Sequence, residues 1–460
     1  MDSSLQFTLA EVVEATGGQI ISGNAATLIT HIATDTRSLS GDGALFVALR
    51  GQNHDGHNFL EKARAAGARA VLVDDISRAP TDLPLVRVED TLKALGDLAR
   101  AQRERFQLPM IAITGSYGKT TTRALMAQAL SPKFVVLSSE GNFNNEIGMP
   151  LTLLNLHASY DAVVLELAMR GLGHIKYLTD IALPNIGVIT NIGPQHIGLL
   201  GSLDNIARAK AELLTALPPD GLAVLPADEQ YIDFLRRSAS CRVITFGMCE
   251  ADYRVKDITV CDVGHVSFSL VTSSGQEIQE IKIPLSGKFN ATNAAAALAV
   301  AAELGVDLER AAHALRNAEI PHGRMRTIVN EAHAFTIIED CYNAGPDSMR
   351  AALEALQDYP RAKRRVAVLG DMAELGQWSE PEHRTIGSVA SKCVEFLIGV
   401  GNDARWIVEG LRGRVRSKWY PNSVSAADCV RKVICPGDVV LVKGSRRVQM
   451  EKIVDSLVRW

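Results

Sequence analysis

At 460 residues the chain is too long for one ordinary core, and its length sets a prior of about three domains. Hydrophobic residues at 47% and charged residues at 22% fit a globular protein in water, and a formal net charge of −4 argues against a protein built to coat nucleic acid. The seven cysteines, at 241, 249, 261, 341, 393, 429 and 435, are odd in number and form no CxxC pair, which argues against both a disulfide framework and a zinc site.

The first stretch, residues 1–105, opens with acids and no early Lys or Arg, unlike a signal peptide. Its apolar runs ALFVAL and AVLVD flank the helix-like FLEKARAAGA, and its loops TDTRSLSGDG and GQNHDGHNF are polar, which predicts a small α/β unit. The second stretch, residues 106–320, alternates strands (MIAIT, KFVVLSS, DAVVLEL, PNIGVITNIG) with helical patterns (KTTTRALMAQAL, NIARAKAELLTAL). That alternation predicts a mostly parallel sheet covered on both faces. Between roughly 250 and 285 the period falls to two, in HVSFSLV and EIQEIKIPL, which predicts an appended antiparallel ribbon before the Ala-rich helix NATNAAAALAVAAEL. The third stretch, residues 321–460, repeats strand and helix through FTIIED, RRVAVLGD, VEFLIGVG and GDVVLVKGS, a second nucleotide-binding-type, Rossmann-like α/β unit. No run reaches the ~18 apolar residues that cross a bilayer, so we expect a cytoplasmic protein with no membrane insertion.

The strongest chemical signal is Thr114-Gly115-Ser116-Tyr117-Gly118-Lys119-Thr120-Thr121, placed between a buried strand and a helix. Gly115, Ser116 and Gly118 let the backbone turn its N–H groups toward phosphate oxygens, Lys119 brings a point charge to the β- and γ-phosphates, and Thr120 or Thr121 offers a hydroxyl to Mg²⁺. Glu166 ends the strand AVVLEL, where a carboxylate faces the ligand crevice of an open α/β sheet and is a hard oxygen ligand for Mg²⁺. Taken alone, a strand-end Glu, the loop histidine His196 and the helical Lys210 would be a solvated acid, a structural hydrogen-bonding group and an exposed cation. Ser202 is expected to cap the helix that carries Lys210.

Gly115 lies three residues before Gly118, shorter than the general phosphate-loop spacing. The loop resembles the TGxxGKT[ST] loop of the Mur ligases and folylpolyglutamate synthases, which join a carboxylate to an amine through an acyl phosphate. Further segments extend the resemblance to the Mur ligase family over the whole chain: Gly141-Asn142-Phe143-Asn144-Asn145-Glu146-Ile147-Gly148, Asp340-Cys341-Tyr342-Asn343-Ala344-Gly345-Pro346-Asp347-Ser348-Met349, and Leu369-Gly370-Asp371-Met372-Ala373-Glu374-Leu375-Gly376 followed by His383. Val442-Lys443-Gly444-Ser445-Arg446 completes the series. DTRSLSGDGALFVALRG and HDGHNF are similar to the family's UDP-binding domain.

The resemblance implies three α/β domains: a small UDP-muramyl-binding domain (1–105), a central ATP-binding domain (106–320) and a C-terminal domain for the amino substrate (321–460). It implies an ATP-dependent peptide ligase that joins D-alanyl-D-alanine to UDP-N-acetylmuramoyl-tripeptide, with ATP and two Mg²⁺ ions, acting as a monomer. Within that frame Lys119, Glu166, His196 and Lys210 are the catalytic set, and Thr120, Glu166, His196 and Lys210 the metal set, with Lys210 carbamylated. Asn290 and Asn293 match an HNxxN segment and are expected on the adenine, with capping of the Ala-rich helix the competing reading for Asn290; Arg324 is expected on the γ-phosphate and Asp340 on the nucleotide. Thr36, Arg37, Asn144, Asn145, Tyr342, Asn343 and Ser348 are expected on the other substrates. Four positions depart from the usual family pattern: Phe289 stands for His, Gly345 for Asn, His174 for Glu, and Tyr117 fills a variable loop position. Another ligase on the same scaffold, adding a free diamino acid or glutamate, and a silent nucleotide-binding scaffold are the alternative readings.

Overall fold

A computed structural model describes residues 5–39, 42–51, 54–261 and 263–460. Parts of the loops TDTRSLSGDG (40–41) and GQNHDGHNF (52–53), the first four residues and residue 262 lie outside the described residues. In the first unit β1 (Gln19–Ser22), β2 (His31–Ala33), β3 (Ala44–Val47), β4 (Ala70–Val73) and β5 (Leu85–Arg87) form a sheet of order β1-β5-β4-β3-β2. The runs ALFV and AVLV are buried at every position, as strands covered on both faces must be. Helix α1 (Thr91–Glu104) leads out of this unit; the Asp90 carboxylate accepts from the Leu92 and Lys93 amides and stops the preceding strand from continuing.

The second unit is a nine-stranded sheet. In chain order its strands are β6 (Met110–Thr114), β7 (Val136–Ser138), β8 (Ala162–Glu166), β9 (Ile186–Ile189), β10 (Leu222–Pro226), β11 (Arg242–Gly247), β12 (Tyr253–Val260), β13 (Val266–Thr272) and β14 (Glu277–Ile283). The sheet order is β14-β13-β12-β11-β10-β9-β6-β8-β7. The period-2 segment does form an antiparallel ribbon, but Phe246 and Gly247 pair in parallel with Tyr253 and Arg254, so the ribbon is the edge of the main sheet. Helices α2 (Lys119–Leu130), α3 (His174–Ala182), α4 (Leu203–Thr215) and α5 (Asn290–Glu303) cover it. The buried alanines of α5 carry no bulk beyond Cβ, which lets its backbone lie close against α2.

The third unit has β15 (Arg326–Asn330), β16 (Phe335–Asp340), β17 (Arg364–Gly370), β18 (Phe396–Val400), β19 (Arg416–Tyr420) and β20 (Asp438–Lys443) in the order β15-β16-β20-β17-β18-β19. All pairs are parallel except β15 with β16. Helices α6 (Pro346–Gln357) and α7 (Ser379–Ala390) follow β16 and β17.

Alternation along the central strands sorts the core. Met110 and Ala112 join the cluster that includes Leu45, Leu95 and Leu213, whereas Ile111 and Ile113 join the one that includes Leu298, Met349 and Leu353. One face of the central sheet is thus continuous with the first unit, and the other, through α5, with the third. All seven cysteines are free thiols, and among the described residues no helix is long and apolar enough to cross a membrane.

Candidate active site

The strand MIAIT ends at Thr114, and the chain turns into α2 through two glycines in backbone conformations that disfavour other residues: Gly115 has φ 151° and Gly118 φ 80°. Side chains there would also collide: a Cβ on Gly115 would lie 1.8 Å from Thr190 Oγ1, and one on Gly118 2.7 Å from Asn293 Oδ1. The loop is tied to the end of β9. Ser116 N donates to the Asn191 carbonyl (3.1 Å), the Ser116 hydroxyl donates to the Gly193 carbonyl (2.9 Å), and Tyr117 N donates to Asn191 Oδ1 (2.9 Å). Lys119 folds back over the loop and donates to the carbonyls of Gly115 (2.7 Å) and Ser116 (3.3 Å). Burial pushes its ammonium down to about 8, against the pull of Glu166.

Glu166 is the hub of the site. Its Oε2 accepts from the Thr120 hydroxyl (2.8 Å) and its Oε1 from Asn144 Nδ2 (2.8 Å), with the Arg123 guanidinium 4.0 Å away. Of the two candidate threonines, Thr120 is therefore the one paired with the carboxylate; Thr121 lines the same cavity. Lys210, on α4 behind Ser202, which caps that helix as expected, is only 2% exposed. Among the described residues its ammonium has no hydrogen bond and no carboxylate partner, and burial together with the Lys119 charge drives it well below its ordinary value.

His196 is held in the left-handed region (φ 63°) and bonds through Nδ1 to Glu374 Oε2 of the third unit at 2.5 Å. Glu374 is left-handed as well (φ 61°). Two non-glycine residues with such backbones meeting across a cleft is the kind of local strain that a tertiary contact maintains. Burial lowers the imidazole's affinity for a proton, Glu374 raises it, and Lys119 and Lys210 lower it again.

From the third unit, the Arg324 guanidinium lies 3.9 Å from the Tyr342 ring centroid, and Asp340 accepts from the Lys443 ammonium at 2.5 Å. Lys443 also donates to the Asn343 carbonyl (2.9 Å). These groups enclose a cavity of about 500 Å³ that Lys119, Thr120, Glu166, His196, Arg324 and Asp340 all line. Pro226, Phe246, Met248 and Phe289 add apolar surface to its lining, beside Asp228 and Glu229. A second cavity of about 420 Å³ continues past Asn144 and His196 to Tyr342, Asn343, His174 and Arg446. A third, of about 650 Å³, lies between the first and second units, with Asp35, Ser38 and Asn145 in its wall.

Several expected residues take other partners. Thr36 and Arg37 do not line the third cavity: the Asp35 carboxylate caps their short turn through the Arg37 amide and holds the Arg37 guanidinium at 2.5 Å in solvent, with that side chain 89% exposed. Asn290 is 1% exposed; its Nδ2 donates to the Ser286 carbonyl (2.7 Å) and its Oδ1 accepts from Asn293 (2.9 Å), so it anchors α5 and presents almost no surface to a base. Asn293 turns its own Oδ1 toward Gly118 of the phosphate loop. The Ser348 hydroxyl is engaged at both ends with the Gly345 backbone at the start of α6 and lines the first cavity, not the second. Asn145 caps Gly148 (2.9 Å). Arg326, two residues after Arg324, is paired with the buried Glu339 at 2.9 Å.

Sequence reasoning missed the roles of Glu374, Lys443, Asn191 and Thr190. Glu374 and Lys443 lay inside quoted segments, but their partners are 178 and 103 residues away and no spacing rule connects them.

Family models match in three consecutive parts: the "Mur ligase family, catalytic domain" over residues 28–103, the "Mur ligase middle domain" over 113–301 and the "Mur ligase, glutamate ligase domain" over 323–446. The chain is 39% identical over 436 residues to the UDP-N-acetylmuramoyl-tripeptide–D-alanyl-D-alanine ligase of Synechocystis, covering 94% of this chain and 92% of that one. It superposes on the crystal structure of MurF from Acinetobacter baumannii with a TM-score of 0.90, 33% identity and 99% of each chain covered. With MurF from Thermotoga maritima in complex with ADP the TM-score is 0.81 at 27% identity, over 93% of this chain and 97% of that one.

Proposed function

The chain belongs to the Mur ligase family, and from that premise we propose that it joins D-alanyl-D-alanine to UDP-N-acetylmuramoyl-tripeptide at the expense of ATP, in the synthesis of peptidoglycan precursors. The observation that carries this reading is the convergence on one cavity of the glycine–lysine loop, Glu166 and the third unit's Arg324 and Asp340, supported by relatives of that name aligned over nearly the whole chain. Residues 1–105 then bind the UDP-muramyl substrate, 106–320 ATP and 321–460 the amine. We take the protein to act as a monomer and place it in the cytoplasm, where such precursors are made.

The tripeptide's terminal carboxylate attacks the γ-phosphorus of ATP and ADP leaves. The amine of D-alanyl-D-alanine then attacks the acyl carbon and phosphate departs. Carboxylate and triphosphate repel one another, so the work of this chain is to position and neutralise. Lys119 supplies a buried positive charge beside the phosphates and Arg324 a second. The Thr120 hydroxyl and the Glu166 carboxylate, 2.8 Å apart, are hard oxygen donors that suit Mg²⁺, which is held by one or two carboxylates plus substrate phosphates. When bound, Mg²⁺ offsets the charge that separates the two reactants. His196, oriented through Nδ1 by Glu374, lines the same cavity and offers its other ring nitrogen as a further ligand.

A neutral Lys210 amine adds carbon dioxide, loses a proton and becomes an anionic carbamate. Its burial and its lack of a counter-ion among the described residues favour that neutral amine, so we assign carbamylated Lys210 to the metal set.

The test is to mix the protein with ATP, Mg²⁺, UDP-muramyl tripeptide and D-alanyl-D-alanine and to measure phosphate and pentapeptide. Equal release of both supports the reading. Product only from a free diamino acid and UDP-muramyl dipeptide, or ATP binding without turnover on any pair, overturns it.

A further inference from the structure

The side chain of Tyr117 leaves the phosphate loop and enters a slot between two loop glycines that belong to different units. A Cβ on Gly193, just after β9, would lie 2.7 Å from Tyr117 Cε2. A Cβ on Gly345, at the start of α6 in the third unit, would lie 3.1 Å from the Tyr117 hydroxyl and 3.3 Å from Cε1. Gly345 has an ordinary extended backbone, φ −145°, so what matters there is the missing side chain. A side chain at Gly193 would have to displace the ring outright, and one at Gly345 would press on it tightly enough to shift it by a few tenths of an ångström or more as its size grows.

The ring is rigidly carried. The Tyr117 carbonyl accepts from the Thr190 hydroxyl (2.6 Å) and Asn191 Nδ2 (3.0 Å), and its amide donates to Asn191 Oδ1 (2.9 Å). The phenol hydroxyl is buried and closes no full hydrogen bond among the described residues, although the Asp347 backbone amide at the start of α6 approaches it. The ring, and not its polar tip, is therefore what the slot fits. Tyr117 lines the cavity that holds Lys119, and Gly345 lines the adjoining one with Asn343 and His174, so the ring stands on the wall between them.

We propose that Tyr117 is a positioning residue whose ring, lodged between Gly193 and Gly345, keeps the third domain seated on the phosphate loop and so sets the amine-substrate cavity against the activated carboxylate. This rests on the ligase reading above for its consequence in turnover, but not for the closure itself. The contact links the loop that meets the nucleotide to the domain that brings the amine, so loosening it acts on the amine step first.

Two measurements on the full chain test it. Small-angle scattering with ADP and Mg²⁺ reads closure without turnover. Tyr117→Phe should scatter as the parent does; Tyr117→Ser and Gly345→Asn should each be more extended; the double variant should be more compact than Gly345→Asn alone, because the smaller side chain frees the slot. In steady-state kinetics Tyr117→Ser should raise KM for D-alanyl-D-alanine roughly tenfold, the loss typical of truncating an aromatic anchor at an interface, with less change in KM for ATP. Tyr117→Phe should restore the parent KM. If Tyr117→Ser scatters as the parent and keeps its KM, or if Tyr117→Phe behaves as Tyr117→Ser, the proposal is wrong. A parent protein that closes in this variant-dependent way yet makes no pentapeptide would count against the ligase reading and leave the slot standing.

Discussion

Asp340 and Lys443 are register partners on the adjacent parallel strands β16 and β20, and their side chains form a buried ion pair at 2.5 Å, with Lys443 2% exposed. Removing one member of such a pair leaves a charge without compensation, which typically costs about 3–5 kcal/mol, whereas removing both charges costs much less. Lys443→Met should therefore destabilise the third domain by about 3 kcal/mol or more, and Asp340→Asn combined with Lys443→Met should recover much of that loss. Urea unfolding of the single and double variants measures it. Equal stability of Lys443→Met and the parent would show that the pair contributes nothing.

Asn144 bears on the proposed Mg²⁺ site through Glu166. Its amide fixes one carboxylate oxygen at 2.8 Å while Thr120 fixes the other. Groups that orient a metal-binding carboxylate commonly matter about 10- to 100-fold in metal affinity or activity. Asn144→Ala should show a higher Mg²⁺ requirement and a lower kcat, read from rate against Mg²⁺ concentration. An unchanged Mg²⁺ curve would remove Asn144 from this role.

Lys119→Ala should lose on the order of 100-fold or more in turnover, the scale seen when one preorganised charge stabiliser is deleted from an active site. Single-turnover phosphate release at saturating ATP checks it. A rate close to the parent's would mean that the γ-phosphate is neutralised elsewhere.

Lys210 should carry the added mass of one carbon dioxide when the native protein is analysed without acid, and activity should rise when bicarbonate is restored to depleted enzyme. An unmodified Lys210 with no bicarbonate response would end the carbamate assignment.

His383 predicts a pH dependence. It is completely buried; its Nδ1 donates to the Ser379 carbonyl (2.7 Å) and its Nε2 accepts from the Met372 amide (2.9 Å), which requires the neutral ring. Burial lowers its folded value below the ordinary 6.5. Above pH 6.5 the folded and unfolded chains are both neutral at this site, so its contribution is complete there. As pH falls below 6.5 the unfolded state takes up the proton first, and stability is lost until the lowered folded value is passed. Thermal unfolding followed from neutral to acidic pH should show a shallower decline in His383→Gln than in the parent. Parallel curves would mean that this histidine does not titrate differently on folding.

Much of this site was legible before any coordinates. Gly115, Gly118, Lys119 and Thr120 stand next to one another in the chain, and a phosphate loop is a local device: the strand before it, the helix after it and the two glycines required by its turn are all visible within about a dozen residues. Glu166 could be placed because a strand's C-terminal end is where an open sheet binds ligands. Elsewhere the same reasoning assigned the residue type and missed its partner. Asn290 had two readings, base contact and helix anchor, and its bonds to Ser286 and Asn293 support the anchor. Ser348 looked like a substrate contact, yet it closes the first turn of α6. Arg37 looked like a uridine ligand, yet Asp35, two residues back, holds it in solvent.

Contiguous motifs carried the resemblance to the family and pointed to the glycine–lysine loop, and periodicity carried the alternation of strands and helices, so all of these could be read along the chain. That Tyr117 reaches Gly345, that His196 meets Glu374 and that Lys443 neutralises Asp340 emerged from the packing of the units. Those pairs join positions a hundred or more residues apart, and a side chain's partner over such distances is set by how the sheets stack, which no local pattern of residues encodes.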